Sequence, residues 1–532
     1  MPPPVRLLFL VPRRALRRFC ALILLLVVLF PLLMLSGHRF SLGGSINQQI
    51  NNEKGEFQPP LICAKQKAQF EFWGHTGCGK LREMALRERV ACIDPITGVP
   101  MSKQWEKVPY FYPIQIFQFG LGHYNMNRTG KMAVVRRLAK KVSVRRAVGA
   151  HSEGRRAHAN DGNGTITLDA DESVQVKLFH WLPILLFSLE TRRIDSEFVL
   201  KLERRRNEGE PRAMALIFRH SERKGCVWKD ELRKAFPISV VFNIGPNSTM
   251  RWLDFVIDIR VSAAKALNVF CEGRNKFTKR ELCQRQNATA AEFLPRELLF
   301  RGPCRVRIHS LRQQSNAHSE MFHKVVHWML SRQDERGGWP VPISRTITEA
   351  HHRLVLPVGW QSAMAQGLAL SFLTRAYTLA KVGERDLYMK AAQKALDLFE
   401  VPVEKGGVLS NICGLPWFEE YPTLPGTGVL NGFMSQALFL RGLDSLRHLL
   451  HLFDGGWWSL YDLRHIHLDS PPNLASQDYH LLHVSQLRWM YSITGDPERQ
   501  GQTPNSHQPL YNQKHQGPNV KVRRQKSVGG NN

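Results

Sequence analysis

The sequence predicts an α+β protein with an N-terminal membrane anchor, an antiparallel β domain and a C-terminal (α/α) helical toroid. Three observations lead to this prediction: an uncharged apolar stretch at 19–36, short alternating segments between 126 and 305, and apolar residues at helical spacing from about 313. Alternation with a period of two is typical of half-buried strands, whereas spacings of three and four residues are typical of amphipathic helices. A chain of 532 residues is long enough for two domains after the anchor.

The anchor is predicted from residues 19–36, which read FCALILLLVVLFPLLMLS. A helix needs about 20 apolar residues to cross a bilayer core, so this stretch is near the lower limit. Arginines precede it, and the positive-inside rule therefore keeps residues 1–18 in the cytoplasm and places the rest in the lumen. The alternative is a cleaved signal peptide, but the apolar run is long for one and no clear A-x-A site follows. The arginines are Arg6, Arg13, Arg14, Arg17 and Arg18.

Two further features fit a lumenal glycoprotein. Four N-x-S/T sequons occur, at Asn127, Asn163, Asn247 and Asn287. Nine cysteines are present without a C-x-x-C pair, which argues against a zinc ribbon. Some of them can pair in an oxidising lumen, and the sequence leaves the connectivity open.

The net charge points to a polyanionic partner. Lys and Arg total 73 against 45 acidic residues, which gives +28. Nucleic acid is the usual partner of a basic cytosolic or nuclear chain, but behind a membrane anchor a sulfated or carboxylated polysaccharide is the better candidate, because counterion release acts on any dense polyanion. The basic runs lie at 136–146, 203–206 and 522–526, and each has the alternative interpretation of a solvated face or a disordered tail.

Strand and helix patterns divide the lumenal part. The segments TITLDA, SVQVKLF, ISVVFNI and FVIDIRV are β-branched runs separated by polar or Gly/Pro breaks, which predicts antiparallel strands. The segments HSEMFHKVVHWMLSRQ, AMAQGLALSFLTRAYTLAKV and DLYMKAAQKALDLF predict successive amphipathic helices, which form a toroid or a bundle. Loops between such helices line a cleft and are the candidate sites of chemistry.

Three interhelical segments concentrate Tyr, Arg, His and acidic side chains. They are WFEEYPTLPGTGVLNGF at 417–433, LYDLRH at 460–465 and NLASQDYHLLH at 473–483. Buried tyrosines that only cap helix ends are the alternative interpretation.

The same segments carry a resemblance to the heparan sulfate D-glucuronyl C5-epimerases. The strings that match are YFYPIQIFQFGLGHY, RQDERGGWP, GWQSAMAQG, FEEYPTLP with VLNGF, LYDLRH and NLA-x-x-DYH-x-x-H, together with RERVACI and TGVPMSKQW. The similarity covers 87–124 and most of 323–490, and the β region matches in outline only. The divisions that follow are a cytoplasmic tail (1–18), the anchor (19–36), a stem with an N-terminal extension (37–86), a segment that contributes to the cleft (87–125), the β-rich domain (126–305), the catalytic toroid (306–497) and a polar tail (498–532).

The resemblance implies that the enzyme removes the proton on C5 of a glucuronate within a heparan sulfate or heparin precursor and returns one on the opposite face. That proton lies alpha to a carboxylate, so its removal builds negative charge that the site must stabilise. Inversion also needs one acid–base group on each face. The resemblance implies Glu420 and Tyr479 as the proton-transfer pair, with Tyr421 and Tyr461 supporting the carboxylate. No metal or nicotinamide is required, and no G-x-G-x-x-G motif indicates a redox epimerase.

The resemblance also implies a set of substrate contacts, a homodimer and a Golgi membrane location of the single-pass type II kind. Nucleic acid is not expected as a partner. The substrate-binding positions are Arg87, Gln104, Tyr112, Gln115, Gln118, Glu349, Asn431, Arg464, Asn473, Asp478 and His480.

Several positions depart from the family pattern. Ser476 and Gln477 stand where the family has an Arg and an aromatic residue before the DYH string, and the loss of one charge-assisted contact costs roughly 1.5 to 3 kcal/mol. The stretch MSQALFLRGLDS predicts one continuous helix where the family has two pieces. The family's calcium uses acids of the β domain, but GPCRVRIHS around Cys304 lacks the expected Asp, so calcium is not expected to bind.

Two other functions stay open from the sequence. A polysaccharide lyase of the toroid type abstracts the same C5 proton and then eliminates across the glycosidic bond. A non-catalytic heparan-binding relative would keep the polyanion surface without turnover, and the missing Arg before the DYH string fits that class.

Overall fold

The computed structural model describes residues 81–146, 164–204, 213–230, 238–245, 249–272, 290–349, 351–435 and 442–494. The predicted anchor, most of the stem, the polar tail and three of the four sequons lie outside these residues. Asn127 is described and is exposed. Within the described ranges, no helix combines the length and the apolar character needed to cross a bilayer.

The chain divides into two compact units. The first holds the described residues up to Arg345, together with Pro357–Gln361 and Ala365–Leu398. The second holds Thr346–Leu356, Ser362–Met364 and the described residues from Phe399 onward.

A small sheet and a long helix open the first unit. The strands form a three-stranded antiparallel sheet in the order β1-β2-β3. Pro113 occupies the first turn of α2, where its missing N–H removes no helical hydrogen bond. The elements are α1 (Leu81–Leu86), β1 (Val90–Ile93), β2 (Pro100–Ser102), β3 (Tyr110–Phe111) and α2 (Pro113–Thr129).

Two larger sheets follow, in the region where the sequence predicts strands. One has seven strands in the order β11-β12-β10-β9-β14-β7-β5, and the other has the order β4-β16-β8-β15-β6 with β13 also paired to β8. The strands are β4 (Val135–Arg137), β5 (Val142–Arg146), β6 (Thr165–Leu168), β7 (Glu172–Lys177), β8 (Ile184–Thr191), β9 (Glu197–Arg204), β10 (Ala213–Arg219), β11 (Val227–Lys229), β12 (Ile238–Asn243), β13 (Trp252–Asp258), β14 (Phe293–Arg301), β15 (Cys304–Arg307) and β16 (Arg312–Gln314).

Side chains from both large sheets share one core. Phe187 of β8 packs against Phe198 of β9 at 5.0 Å and stacks on Phe255 of β13 at 5.1 Å between ring centroids. Phe198 also stacks on Phe218 of β10 at 4.5 Å. Because alternate residues of each strand face this core, the predicted period of two is confirmed for these strands.

Two details of the β region differ from the sequence prediction. Strand β10 pairs with β12 in parallel, so the seven-stranded sheet is mixed, although its other pairs are antiparallel. The predicted strand FVIDIRV stops at Asp258, whose Oδ1 accepts hydrogen bonds from Arg260 N at 3.0 Å and Val261 N at 3.2 Å. This carboxylate caps the N-terminus of α3 (Ile259–Cys271), so a helix replaces the end of the predicted strand.

Disulfides resolve part of the cysteine pairing that the sequence left open. Cys92 of β1 is bonded to Cys226, which links the small sheet to the β region across 134 positions of sequence. Cys271 is also disulfide-bonded. Cys304 and Cys413 are free thiols.

The helices predicted from apolar spacing are confirmed to within a few residues at each end. They are α4 (His318–Arg332), α5 (Ala363–Leu379) and α6 (Arg385–Asp397). The hairpin strands β17 (Arg345–Glu349) and β18 (His352–Leu356) lie between α4 and α5. The stretch predicted as one helix over 434–445 differs: α7 (Leu430–Met434) ends at Met434 and α8 (Gly442–Leu449) begins at Gly442, while 436–441 lie outside the described residues. The hairpin β19 (Leu409–Ile412) and β20 (Leu415–Phe418) precedes α7, and α9 (Gln477–Thr494) is the last described helix.

Candidate active site

The first of the three segments begins at the buried end of a hairpin. Strand β20 pairs with β19, and aromatic rings fix its end: Trp417 stacks on Phe433 of α7 with centroids 3.8 Å apart. Both rings are fully buried, so the chain that follows, Glu419 and Glu420, starts from a rigid base. Successive side chains of an extended chain point to opposite sides, so the two glutamates enter different surroundings.

Backbone hydrogen bonds join the three segments that the sequence singled out. Leu430 N donates to Tyr461 O at 3.1 Å, and Tyr461 N donates to Asn473 O at 2.7 Å. Leu463 N donates to Thr427 O at 3.1 Å. The segments 417–433, 460–465 and 473–483 therefore meet within the second unit, as the prediction of a shared site requires.

The four predicted catalytic side chains form one cluster. The rings of Tyr461 and Tyr479 meet edge to face with centroids 4.8 Å apart. Burial raises the pKa of the Tyr461 hydroxyl, and the neighbouring Glu420, Tyr421 and Tyr479 raise it further. Glu420 and Tyr421 are buried, whereas Tyr479 is 38 % exposed. Tyr461 consequently keeps its proton and is a hydrogen-bond donor next to a carboxyl group.

A glycine allows α7 to approach Glu420 closely. A Cβ added at Gly432 would lie 2.5 Å from Oε2 and 2.7 Å from Cβ of Glu420. Such contacts are shorter than any van der Waals separation between heavy atoms. Gly432 thus sets the distance between the helix and the carboxyl group.

The neighbouring Glu419 faces the interior of the 427–428 turn instead. Its carboxyl group accepts from Thr427 Oγ1 at 3.0 Å, Ser410 Oγ at 3.1 Å and Gly428 N at 3.1 Å. Burial raises the pKa of Glu419 to about 7, although these three donors oppose the rise. Thr427 Oγ1 also lies 3.4 Å from the carbonyl oxygen of Tyr421. A protonated Glu419 can donate to Thr427, whose hydroxyl then turns toward Tyr421, so both charge states are accommodated.

Arg464 links two carboxylates at the edge of the cluster. Its Nε donates to Asp462 Oδ2 at 2.8 Å and its Nη1 donates to Glu349 Oε2 at 2.7 Å. Asn473 Nδ2 donates to the same Asp462 oxygen at 2.8 Å. Burial raises the pKa of Asp462, while Arg464 and Asn473 act to lower it. Three of the predicted substrate-binding residues, Glu349, Arg464 and Asn473, are therefore one hydrogen-bonded group.

The last segment places its histidines inward. His480 stacks on Trp458 at 4.2 Å between ring centroids, and its Nδ1 accepts from Ser459 N at 3.2 Å. Ser459 Oγ lies 2.9 Å from Nδ1 of His480 and of His483. Burial lowers the pKa of His483 to about 3. The predicted contact Asp478 is exposed at the start of α9.

Two further residues, Asn431 and Ser476, form hydrogen bonds with residues of helix α9. Asn431 is buried in α7, and its carbonyl oxygen accepts from Gln486 Nε2 of α9 at 3.1 Å. Ser476, which stands where an Arg was expected, precedes α9 and accepts with its Oγ from Tyr479 N at 3.4 Å and with its carbonyl from His480 N at 2.8 Å. It therefore caps the helix that carries Tyr479.

The remaining predicted sugar contacts lie in the first unit. Gln115 Nε2 donates to Gln104 Oε1 at 3.1 Å, and Tyr112 packs edge-on against Trp105 at 5.0 Å. Arg87 and Gln115 line one small cavity. Gln118 is half-buried on α2. The predicted cleft residues are thus divided between the two units.

The position of Cys304 does not fit the calcium ion that the family resemblance implies. Cys304 stands at the expected Asp position, and burial raises the pKa of its thiol to about 12 despite the nearby Arg192. Ca²⁺ takes oxygen ligands, and a buried neutral thiol beside a guanidinium provides none. Within the part of the chain that the structure describes, no group of three or more His, Cys, Asp or Glu is arranged to hold a metal ion.

Comparison with known proteins assigns the family. The family model for the D-glucuronyl C5-epimerase C-terminus matches residues 333–503. The D-glucuronyl C5-epimerase of Caenorhabditis elegans is 32% identical over 471 residues, which are 77% of this chain and 74% of that protein. The chain belongs to the D-glucuronyl C5-epimerase family. An uncharacterized protein of Methanocaldococcus jannaschii is 34% identical over 162 residues, 26% of this chain and 49% of that protein.

Within this family assignment, sequence reasoning missed residues that organise the site rather than line it. Glu419 was grouped with Glu420 without a role of its own, and Thr427 and Ser459 were not singled out. Thr427 accepts from Leu463 N of the second segment, and Ser459 Oγ lies between the rings of His480 and His483. The sequence contains one indication of the role of Glu419. After a strand, only one residue of a Glu-Glu pair can face the tyrosines, so the other is expected to accept hydrogen bonds from donors inside the protein.

Proposed function

We propose that this chain is an isomerase that converts D-glucuronate to L-iduronate at C5 within a heparan sulfate or heparin precursor polysaccharide. The observation that carries the proposal is the cluster of Glu420, Tyr421, Tyr461 and Tyr479 within a family of C5-epimerases. A carboxyl group and a partly exposed tyrosine in one cluster are the acid–base groups that inversion at a carbon needs.

The reaction begins with the loss of the C5 proton. Glu420 takes the proton, the C5–H bond breaks, and its electron pair is delocalised into the substrate carboxylate. The resulting dianion is stabilised by hydrogen bonds from protonated hydroxyls, since Tyr461 keeps its proton beside Glu420. Arg464 is paired with both Asp462 and Glu349 and holds these carboxylates at the edge of the site.

Inversion follows when Tyr479 donates its hydroxyl proton to the opposite face of C5. The new C5–H bond forms and the phenolate is left behind. Tyr479 is the exposed member of the cluster, so it regains a proton from solvent while Glu420 loses one, and the enzyme returns to its starting state. The glycosidic bond stays intact in this reaction, because Tyr479 gives its proton to C5 and not to a leaving oxygen.

We also propose a location and an assembly for this enzyme. Residues 19–36 anchor it in the Golgi membrane as a single-pass type II protein, with the residues that follow in the lumen as a glycoprotein. Disulfide bonding of Cys92, Cys226 and Cys271 supports an oxidising compartment, and the net charge of +28 supports a polyanionic substrate. The helical part forms an α/α toroid, and two copies form a homodimer.

Hydrogen exchange at C5 tests the reaction. The full chain is incubated with an N-sulfated heparosan polymer labelled with tritium at C5, and the tritium released to water is measured. Release without chain cleavage, together with deuterium incorporation from heavy water, supports the epimerase. Release accompanied by the ultraviolet absorbance of an unsaturated uronate identifies a lyase instead, and no release with retained polymer binding identifies a non-catalytic binding protein.

A further inference from the structure

A basic segment follows α2 and plays no part in the proposed reaction. Residues 131–146 carry seven Lys and Arg side chains and no Asp or Glu. The segment contains β4, a single turn of 3₁₀ helix at Ala139–Lys141, and β5. It belongs to the first unit, whereas the catalytic cluster belongs to the second.

This segment connects an edge of one large sheet to an edge of the other. Strand β4 is an edge strand of one sheet, and β5 is an edge strand of the other. Between them Leu138 is fully buried, and its N–H donates to Leu311 O at 3.0 Å. Because Leu138 fixes the segment from inside, the neighbouring cations are directed outward: Arg136, Arg137 and Lys140 are exposed and Lys141 is half-buried.

Aromatic rings lie among these cations. Trp181 is 47 % exposed, and the guanidinium of Arg136 lies 6.0 Å from its ring centroid. The ammonium of Lys141 lies 3.7 Å from the ring centroid of Phe179. An exposed Trp among cations presents an apolar face together with charge, a combination enriched where a surface binds a partner.

A buried glutamine fixes the backbone of the turn at 179–182, which carries Phe179 and Trp181. Gln313 is fully buried, and its Oε1 accepts from Phe179 N at 2.7 Å. Its Nε2 donates to Phe179 O at 3.1 Å and to Leu182 O at 2.9 Å. Trp181 is therefore held in place before any ligand arrives, which reduces the ordering cost of binding.

The described residues do not neutralise the positive charge of this surface. The ion pairs recorded along the two sheets use other cations, such as Arg305 with Glu190 and Arg312 with Glu320. Among the described residues, none of Arg136, Arg137, Lys140 and Lys141 takes part in an ion pair. A dense polyanion that binds here would release counterions, and its binding would not have to break ion pairs of these four cations with described residues.

We propose that this basic stripe, formed by Arg136, Arg137, Lys140, Lys141 and Trp181, is a second binding surface for the anionic polysaccharide on which the enzyme acts. The identity of the polymer rests on the proposed function. A polysaccharide is favoured over nucleic acid because the Cys92–Cys226 disulfide lies in the same unit and indicates an oxidising compartment. The stripe retains a long chain on the enzyme while successive residues are epimerised.

The charge contribution is tested with a triple variant, Arg136→Gln, Arg137→Gln and Lys140→Gln, in the full chain. The control removes three other exposed charges: Lys224→Gln, Lys229→Gln and Lys390→Gln. Heparin is the probe, and its dissociation constant is measured by calorimetry at several salt concentrations. The slope of log K against log salt should become shallower by about 2 to 3 in the triple variant, by analogy with phosphate contacts. Heparin should bind about tenfold more weakly near physiological salt, and the control should change by less than threefold.

The aromatic contribution is tested separately. Trp181→Ala should weaken heparin binding about threefold or more without changing the salt slope, because no charge is removed. Trp457→Ala, which removes another exposed indole, serves as the matched control. Equal affinities for the two Trp variants would contradict a role for Trp181.

These binding measurements do not depend on turnover. If the chain releases no tritium yet the triple variant loses heparin affinity, the proposed reaction fails and the surface stands. If turnover is normal and the triple variant binds heparin like its control, the surface fails alone. Tighter binding of single-stranded RNA than of heparin would also overturn it. So would self-association of the triple variant without loss of heparin affinity, since edge-strand charges can serve only to prevent pairing between copies.

Discussion

The ring of Tyr461 meets the ring of Tyr479 edge to face, 4.8 Å between centroids, and the two differ in surroundings. Tyr461 lies deeper, beside Glu420 and Asp462, and its pKa is raised. Tyr479 is more than a third exposed. The pair therefore combines an inner hydroxyl that stays protonated with an outer hydroxyl that can exchange its proton with solvent.

The first prediction concerns the proton-transfer pair. Glu420→Gln should lower C5 tritium release, and Tyr479→Phe should lower iduronate formation, each by at least about 100-fold, because each removes one acid–base group. Heparin affinity should stay within threefold in both variants. Tyr377→Phe, which removes a tyrosine hydroxyl of α5, is the control. Full tritium release by Glu420→Gln, or full iduronate formation by Tyr479→Phe, would remove that residue from the mechanism.

The second prediction concerns the distance between α7 and Glu420. Gly432→Ala should lower kcat by about tenfold or more, since the added methyl group would displace the carboxyl group. Gly383→Ala is the matched control, because nothing lies within 4 Å of a Cβ added there. Tritium release and circular dichroism are measured for both variants. Similar activity in the two would show that Glu420 moves without consequence.

The third prediction concerns Arg464. Arg464→Ala should destabilise the protein by about 3 kcal/mol, because it leaves the buried Asp462 without its cation. Arg464→Lys should restore only part of this, since a single ammonium cannot reproduce the separate Nε and Nη1 bonds. Urea unfolding measures the change. The exposed pair of Arg447 and Asp444 gives the control, and Arg447→Ala should cost less than about 1 kcal/mol.

The fourth prediction concerns the pH dependence of stability through Glu419. Burial raises its pKa from 4.5 to about 7, so between these values the folded protein binds more protons than the unfolded chain. The free energy of unfolding should therefore decrease as pH rises from about 5 to about 8. Glu419→Gln should remove about 1 to 3 kcal/mol of this decrease. Urea unfolding across this range measures the effect.

A matched variant and an activity readout accompany that measurement. Glu404→Gln, at an exposed position, should leave the pH dependence unchanged. Because Thr427 connects Glu419 to the backbone of Tyr421, the pH profile of kcat should also flatten near pH 7 in Glu419→Gln. A profile identical to that of the unmodified chain would confine Glu419 to a packing role.

The fifth prediction concerns Ser476. Ser476→Arg places a cation next to Asp478 and Tyr479, and should lower KM for the polymer by about tenfold, the value of one charge-assisted contact. It should also cost about 1 kcal/mol of stability, because the cap of α9 is lost. Ser470→Arg, on the loop before α9, is the control. A KM unchanged by Ser476→Arg would show that the substrate acid is held elsewhere.

Much of the fold follows from local patterns. The strands TITLDA and ISVVFNI and the helix HSEMFHKVVHWMLSRQ lie where their periodicity predicts, because alternation and helical spacing are properties of adjacent residues. The errors occurred where one side chain overrides the pattern. Asp258 ends a β-branched run by capping a helix, and the parallel pairing of β10 with β12 depends on a connection that periodicity does not encode.

The sequence by itself determined the family and the three segments that meet in the candidate site, because these are recorded in short strings such as FEEYP, LYDLRH and DYH. Only the tertiary structure showed which donors surround Glu419, that Arg464 bonds to both Asp462 and Glu349, and that the basic run at 136–146 connects edge strands of the two large sheets. The reason is physical. The charge state, burial and orientation of a side chain depend on neighbours that are distant in sequence and adjacent only in the folded chain.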